Sequence, residues 1–340
     1  MRPRVLVTGG AGYIGSHACK ALHGAGFVPV TFDNLSTGHA AAVRWGPLEY
    51  GDLLDRQALA MAIDRHRPVA VMHFAALSLV GVSAREPSRY FRNNVFGTVN
   101  LVDAATEAGI HAMVFSSTCA VYGIPARVPI DETLPLAPIN PYGCSKRAVE
   151  DLLQASERAY GLRSVSLRYF NAAGADPDGE IGECHSPETH LIPLALQAAM
   201  RQESPLSVFG NDYPTADGTA IRDYIHVTDL AEAHVAALRY LLEGGGTTAL
   251  NLGTGRGYSV HEVVAAIERV TGRPLPTSVA PRRPGDPPEL VCDPAAAATV
   301  LAFEPQATRG LDDIVATAWH WACHPRWTAT ERPAQVRIPA

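Results

Sequence analysis

The stretch from Val5 to Leu22 constrains this chain more than any other. Val5-Leu6-Val7 is a short β-branched run that meets Thr8-Gly9-Gly10-Ala11-Gly12-Tyr13-Ile14-Gly15, after which Ile14, Ala18, Ala21 and Leu22 recur at helical spacing. Strand, glycine turn and helix in direct succession aim backbone N–H groups and a helix N-terminus at one point, where a pyrophosphate can sit. Glycines at 9, 10, 12 and 15 permit the tight turn, close backbone approach to phosphate and close packing of the helix. A second apolar run, Phe27 to Phe32, ends at Asp33, which can accept hydrogen bonds from both hydroxyls of an adenosine ribose. The same carboxylate repels a 2′-phosphate, so the pattern favours NAD over NADP.

Further apolar runs at Val69 to Phe74, Ala112 to Ser117 and Val165 to Arg168 alternate with helical patterns. Such alternation predicts an α/β fold with a Rossmann-type, doubly wound parallel sheet covered on both faces. The nucleotide-binding lobe is expected to span 1–170. Beyond it the alternation breaks into loops rich in Gly, Pro, Asp and His, with helices at Leu191 to Met200 and Val227 to Leu242. That texture predicts a smaller C-terminal substrate-binding lobe over 171–330. Leu250 to Gly253 reads as a strand returning to the first sheet and Ser259 to Val270 as a helix, so segments near 225–270 interleave with the first lobe. Residues after Trp327 carry little periodicity and are expected to be loose.

The bulk numbers narrow the class of partner. A length of 340 residues allows a substantial core in one large or two closely packed lobes. The formal net charge is −6 and no basic block occurs, which argues against nucleic acid. No run approaches the roughly 20 apolar residues of a membrane span, so no membrane partner is expected. Six cysteines without paired spacing suit free thiols in a reduced, cytoplasmic setting. No metal is expected: Cys184, His185 and His190, or His320, Cys323 and His324, lack a convincing ligand spacing.

Pro141-Tyr142-Gly143-Cys144-Ser145-Lys146 opens a helix whose period places the Tyr142 phenol and the Lys146 ammonium on one face. A nearby cation favours the phenolate, and a positively charged nicotinamide would act in the same sense, so Tyr142 is a candidate base. Thr118, just after the strand ending Phe115-Ser116-Ser117, offers a hydroxyl to the same substrate oxygen. Asp52 follows a third apolar segment and reads either as a partner for the adenine amino group or as a surface turn acid. His73 reads as a satisfied near-core histidine, and Asn94, in an amphipathic helical stretch, would ordinarily be a polar packing residue.

Glycine turn, acidic strand end, hydroxyl and Tyr-x-x-x-Lys follow in the order used by short-chain dehydrogenases, which the first lobe resembles. Later blocks sharpen the resemblance: Arg168-Tyr169-Phe170-Asn171, Thr189-His190-Leu191-Ile192-Pro193, Val208-Phe209-Gly210-Asn211-Asp212-Tyr213-Pro214-Thr215, Arg222-Asp223-Tyr224-Ile225-His226-Val227 and Arg282-Arg283-Pro284-Gly285-Asp286. Together they resemble the UDP-glucose 4-epimerases from residue 1 to about 325. The resemblance implies that NAD lies against Gly9, Gly12, Tyr13, Ile14, Gly15, Asp33, Asn34, Thr37, Asp52, Leu53, Phe74, Ala75, Asn94 and Phe170. Thr118, Tyr142 and Lys146 would meet its reactive end. It also implies a UDP-sugar held by Asn171, His190, Leu191, Ser207, Phe209, Arg222, Tyr224, Arg283, Asp286 and Leu290. Arg222 and Arg283 would bind the diphosphate, Phe209 would lie along the uracil, and Thr118 and Tyr142 would reach the sugar.

On that pattern Tyr142 takes the C4 hydroxyl proton while C4 is oxidised, the 4-keto sugar turns over, and reduction from the other face inverts C4. A homodimer joined through the helices near 89–108 and 142–160 is also implied. Thr118 stands where the family often has serine, His190 where some members have asparagine, and Leu290 beside the sugar C2 group. A less bulky wall at Leu290 could admit N-acetylated sugars. Related 4,6-dehydratases carry Asp-Glu after the catalytic threonine, whereas this chain has Cys119-Ala120, which argues against dehydration.

Overall fold

A computed structural model describes residues 2–201, 204–283, 285–306 and 309–328. The chain opens with β1 (Arg4–Thr8), α1 (Tyr13–Gly24), β2 (Val28–Asp33), β3 (Leu48–Tyr50), α2 (Arg56–His66) and β4 (Ala70–His73). Two short helices, α3 (Val80–Arg85) and α4 (Pro87–Tyr90), lead through a π-helical turn at Phe91–Phe96 into α5 (Gly97–Glu107). Then come β5 (Ala112–Thr118), α6 (Pro141–Tyr160) and β6 (Arg163–Tyr169). The later part contains β7 (Asn171–Ala173), α7 (Leu191–Arg201), β8 (Leu206–Phe209), β9 (Ile221–His226), α8 (Val227–Leu242) and β10 (Thr248–Leu252). It closes with β11 (Gly257–Ser259), α9 (Val260–Thr271), β12 (Thr277–Ala280), β13 (Glu289–Leu290), α10 (Ala295–Leu301) and α11 (Leu311–Cys323).

Seven strands pair in parallel in the order β10-β6-β5-β4-β1-β2-β3. The residues of β1 explain why the sheet is covered on both sides. Val5 and Val7 join Ala18 and Leu22 of α1 and Leu230 and Leu238 of α8 in one core. Leu6 points the other way, into a core with Leu59 of α2, Leu101 of α5, and Val149 and Leu153 of α6. The period-2 alternation of a strand thus feeds two helical layers, which makes this a doubly wound Rossmann-type α/β fold. The chain reverses direction across the sheet between β1 and β4, and the crevice outside their carboxyl ends is where such folds receive ligands.

A third core lies outside the large sheet. Leu196 of α7, Val263 and Ile267 of α9, and Ile314 and Val315 of α11 pack together with Tyr224 of β9. Strands β11, β9 and β13 form a small sheet that β7 joins through β9, and β8 pairs with β12. The short β8, β11, β12 and β13 do not stand out in the sequence, because they lie between Gly- and Pro-rich turns. The main helices fall where their periodicity predicts, α8 among them. The region around Asn94 departs from expectation, since a π-helical turn replaces an ordinary amphipathic helix there. The terminal segment expected to be loose lies outside the described residues from 329 on. All six cysteines are described and none is in a disulfide. No helix among the described residues is long and apolar enough to cross a membrane.

Helix α6 is fixed at both ends and along its inner face. Asn140 caps its start by accepting the Gly143 N–H at 2.8 Å, Pro141 occupies the first turn, and Gly161 ends it with φ 69°. One helical turn beyond Lys146, Glu150 forms a fork with Arg168 of β6: Nη2 to Oε2 is 2.6 Å and Nε to Oε1 is 3.0 Å. Arg168 also donates to the Tyr122 hydroxyl at 2.9 Å, and Ser117 donates to Glu150. Both charged side chains are almost wholly buried. Removing one partner would strand the other charge away from water. Glu150→Ala is therefore expected to lower unfolding stability by roughly 3–5 kcal/mol, while Glu150→Met with Arg168→Met loses much less. Urea unfolding of the two variants checks this, and equal losses would overturn the role given to the pair.

Candidate active site

The N-terminal glycine turn sits at the reversal point of the sheet. Gly9 has φ 74°, and a Cβ there would lie 2.5 Å from the backbone nitrogen of Ala75, just beyond β4. A Cβ on Gly15 would lie 2.2 Å from the Gly9 carbonyl oxygen, so α1 approaches its own turn as closely as backbone allows. The N–H groups of Phe74 and Ala75 both donate to the Thr8 carbonyl, at 2.9 and 3.1 Å, which holds the two strand ends together. Tyr13 opens α1 and donates its hydroxyl to the Gly174 carbonyl at 2.6 Å, with Ile14 beside it. His73 is satisfied between the hydroxyls of Thr8 (2.7 Å) and Thr98 (2.8 Å), and burial together with the Lys146 charge pushes its pKa down to about 3. It is a neutral core histidine, as its position suggested.

Asp33 is buried at the end of β2 and accepts N–H groups of Ala11 (3.0 Å) and Leu35 (2.8 Å), one on each oxygen. Each oxygen keeps a further lone pair for a ribose hydroxyl. Asn34 donates to Asp52 at 2.8 Å, bringing the two expected adenosine-end residues together, while Leu53 is buried beneath them and Thr37 is exposed in the following loop. These residues, with the space that the glycines keep free, fit a dinucleotide.

Asn94 is buried and bonded on both sides. Its Oδ1 accepts the Leu77 N–H at 2.8 Å, and its Nδ2 donates to the Leu77 carbonyl and the Ser145 hydroxyl, both at 3.0 Å. The amide therefore ties the segment after β4 to α6, and the π-helical turn carries it there.

Tyr142 and Lys146 lie buried on the inner face of α6, with Thr118 ending β5 beside them. Lys146 donates to the Ser116 carbonyl at 2.6 Å and lies 4.7 Å from the Phe115 ring and 6.0 Å from the Tyr142 ring. Burial lowers its pKa to about 7, against a smaller opposing effect of Glu150. Tyr142 is raised well above the ordinary tyrosine value by burial and by Tyr169, with a hydrogen bond to Thr118 working the other way. The expectation that Lys146 lowers Tyr142 is thus not met by the polypeptide alone. Its ammonium is turned to the Ser116 carbonyl, and burial outweighs it at the phenol; a bound positive ring would add a lowering field of its own. Phe170 is buried close by, in a cluster with Cys119, Tyr122 and the edge of Leu290.

The expected substrate residues gather around the small sheet. Asn171 of β7 is in register with Tyr224 of β9, and Leu290 of β13 with Arg222. Arg222 forms an ion pair with Asp286 and also donates to the Ile221 carbonyl at 2.7 Å. Asp286 in turn donates its N–H to the Arg283 carbonyl at 3.2 Å, so both arginines share one support. The Arg283 guanidinium lies 4.1 Å over the Phe209 ring, which is the face expected for the uracil. Ser207 and Phe209 share the exposed face of β8, while Leu206 and Val208 are buried. Leu191 begins α7 directly after His190. Pro284, part of the expected arginine block, lies outside the described residues.

The family model for the NAD dependent epimerase/dehydratase family matches residues 5–253. The UDP-glucose 4-epimerase of Rhizobium leguminosarum bv. trifolii is 54% identical over 317 residues, covering 93% of this chain and 96% of that protein. The chain belongs to this family, among the UDP-glucose 4-epimerases. The crystal structure of the Brucella ovis UDP-glucose 4-epimerase in complex with NAD is 54% identical and superposes with a TM-score of 0.91, covering 94% of this chain and 98% of that one. That of the Stenotrophomonas maltophila enzyme, with bound NAD and formylated UDP-arabinopyranose, is 40% identical with a TM-score of 0.91, covering 94% and 98%.

Two sets of residues in this epimerase fold escape reasoning from sequence. Glu150 is one: it sits at i+4 from Lys146, a spacing that could have marked it, but its partner Arg168 lies on another element, β6. The second is the loop before α7. His190 approaches Glu183 at 2.8 Å and Glu188 at 2.9 Å, and His185 approaches Glu183 at 3.0 Å and Glu188 at 3.7 Å. Burial opposes protonation of these imidazoles, but hydrogen bonds to the two glutamates raise His185 to about 9 and His190 to about 10. The Tyr142 phenol is expected to titrate at distinctly higher pH in dinucleotide-free protein than in protein loaded with NAD. Phenolate absorbance of the two forms, with Tyr142→Phe as reference, measures the difference; coincident titrations would refute the assignment of the lowering to cofactor charge.

Proposed function

We infer that this chain interconverts UDP-glucose and UDP-galactose by inverting C4 through a transient 4-keto sugar, with NAD tightly bound. The observation that carries the reading is the meeting of Tyr142 with Thr118 and of Lys146 with the Ser116 carbonyl at the carboxyl end of β5. The cofactor is held by the glycine turn at Gly9, Gly12 and Gly15, by Tyr13 and Ile14, and by Asp33, Asn34, Thr37, Asp52 and Leu53 at its adenosine end. Phe74, Ala75 and Phe170 border its other half. Bound NAD supplies the reversible oxidation and reduction of C4.

The chain's own residues do the rest. Tyr142 takes the proton from the C4 oxygen and later returns it, while the Thr118 hydroxyl holds that oxygen in line. Lys146, anchored on the Ser116 carbonyl, sets the position of Tyr142 within α6 and presents its ammonium to the nicotinamide ribose. Asn94 acts one step back, by bracing Leu77 and Ser145. Arg222 and Arg283 grip the diphosphate in bidentate fashion, with Asp286, Asn171, His190 and Leu191 around them and Ser207, Phe209 and Tyr224 around the nucleoside. A fixed nucleotide leaves the sugar free to turn over between the two half-reactions. Dehydration would need an acid and a base next to Thr118, but Cys119 there is buried, with its thiol pushed up to about 12 by burial.

The test is conversion of UDP-galactose to UDP-glucose by purified protein with no added cofactor, followed by NMR. Tyr142→Phe is expected to lower the rate by about 10²–10⁴-fold while retaining NAD. A parallel arm with UDP-N-acetylglucosamine reads the wall at Leu290, where no detectable turnover would exclude N-acetylated substrates. Absence of any UDP-galactose conversion, even with NAD supplied, would overturn the activity.

The same reading makes the chain a homodimer, in a cytoplasm reducing enough to suit its six thiols. Phe91 is 42% exposed, Phe96 54% and Leu54 39%, and with Val95 and Val99 they line an apolar hollow on the face expected to pair. Such a patch on an otherwise polar surface is suited to a second copy. Phe96→Glu is expected to convert the dimer to monomer in sedimentation velocity; a wild-type protein that sediments as a monomer would dispose of the pairing.

A further inference from the structure

Glu183, His185, Glu188 and His190 bring one ligand atom each to within 4.8 Å of all the others. The two carboxylates are nearly buried, with side-chain exposures of 8% and 7%, whereas the imidazoles reach the surface. Both histidines turn the same ring atom, Nδ1, toward both carboxylates. Four carboxylate and imidazole atoms converge on one point in this way when a small cation sits among them. In a tetrahedral site with bonds of about 2.0–2.1 Å, neighbouring ligand atoms stand about 3.4 Å apart. Three of the four Nδ1-to-oxygen separations, 2.8, 2.9 and 3.0 Å, are hydrogen-bond distances and the fourth is 3.7 Å, so an ion enters by displacing the bridging protons and opening the three short contacts by about half an ångström.

The electrostatics favour the same conclusion. A few residues upstream, Asp176, Asp178 and Glu180 also form a cluster, but Lys20 fills it with contacts of 2.8, 2.7 and 3.0 Å, and Arg44 pairs with Glu180. Glu183 and Glu188 have no ion pair with a lysine or arginine among the described residues; their ion-pair partners are the two imidazoles. Without an ion, protons on the two imidazoles balance Glu183 and Glu188; a divalent ion would displace those protons and find two carboxylates and two imidazoles as its four donors. Nitrogen and oxygen donors together suit Zn²⁺ better than Mg²⁺ or Ca²⁺, which prefer oxygen.

The surroundings support the ligands. Glu188 Oε1 accepts the N–H groups of Thr189 (2.7 Å) and His190 (2.9 Å), which fixes the direction of its carboxylate. The loop is held on both flanks, by Trp321 donating to the Glu183 carbonyl at 2.9 Å and by the His39 ring at the Cys184 carbonyl at 2.8 Å. The His185 ring stands edge-on to Tyr13 with centroids 6.3 Å apart, so the cluster adjoins the glycine turn while His190 leads into α7. We propose that Glu183, His185, Glu188 and His190 form a structural Zn²⁺ site that fastens the segment before α7 to the dinucleotide-binding turn. His185 and His190 lack a convincing ligand spacing by themselves because the two glutamates complete the pattern Glu-x-His-x-x-Glu-x-His.

The test uses tag-free, full-length protein with its NAD in place. After incubation with Zn²⁺ and dialysis against metal-free buffer, mass spectrometry of the metal content is expected to find about one Zn²⁺ per chain, and Co²⁺ in its place is expected to show the intense visible bands of a four-coordinate ion. Glu188→Gln and His185→Ala, each checked for NAD content and far-ultraviolet dichroism, are expected to bind Zn²⁺ at least about 10–100-fold more weakly. Wild-type protein that retains no Zn²⁺ overturns the site, and this result needs no variant to fold. Equal Zn²⁺ affinity in both variants overturns it as well, by placing the ion elsewhere. No readout depends on turnover, so the site and the proposed activity stand or fall separately.

Discussion

Everything in this molecule is arranged around a contact in which no side chain takes part, the approach of the Gly9 backbone to Ala75. It joins the ends of β1 and β4 at the point where the sheet reverses. Any Cβ at position 9 would occupy the space of the Ala75 amide, and φ 74° would be strained for any other residue. The close approach opens the crevice beside it and points the start of α1 into it. Asp33, Thr118 and the inner face of α6 are then within reach of one extended ligand, because parallel strands deliver all their carboxyl ends to the same edge.

A second constraint is electrostatic. Helix α6 carries Tyr142 and Lys146 on a buried face, and an amphipathic helix is otherwise free to slide or roll against a sheet. The fork between Glu150 and Arg168 removes that freedom, since a nearly buried ion pair tolerates little misalignment. The same helix turn that holds the structure therefore sets the register of the reacting groups. Lys146 shows the cost of such burial: its ammonium is easily discharged unless a neighbouring negative or hydrogen-bonding group holds the proton.

The legible parts of the sequence were those whose chemistry is local. The glycine turn, Asp33 at a strand end and Tyr142 with Lys146 one helical turn apart are short-range patterns, and each occupies the element that its spacing implies. The strands of the large sheet were readable because burial on both faces leaves continuous apolar runs. What remained hidden depends on pairing across the fold. Arg168 looked like part of a motif and proved to be the partner of Glu150. Asn94 read on its own as a packing residue, and its bonds to Leu77 and Ser145 join two segments far apart in the sequence. The rise that burial imposes on the Tyr142 pKa could not be read from a nearby lysine alone, because the depth of the site and the direction of the ammonium decide it. Glu183 and Glu188 gain meaning only when a loop folds them toward His185 and His190.

Strand β10 lends the architecture a temporal dimension. It pairs with β6 at the edge of the large sheet, yet it is encoded after α7, α8 and two of the four strands of the small sheet. A growing chain emerges in order, so the edge of β6 that backs Arg168 stays open until residues near 250 have left the ribosome. The nucleotide-binding lobe therefore cannot finish as an independent early domain, as N-terminal domains commonly do during synthesis. Until that strand arrives, β6 presents unpaired backbone groups to the surroundings. The large sheet is thus tied by order of synthesis to the segments that follow β6, and a truncation after Phe170 would leave it unfinished.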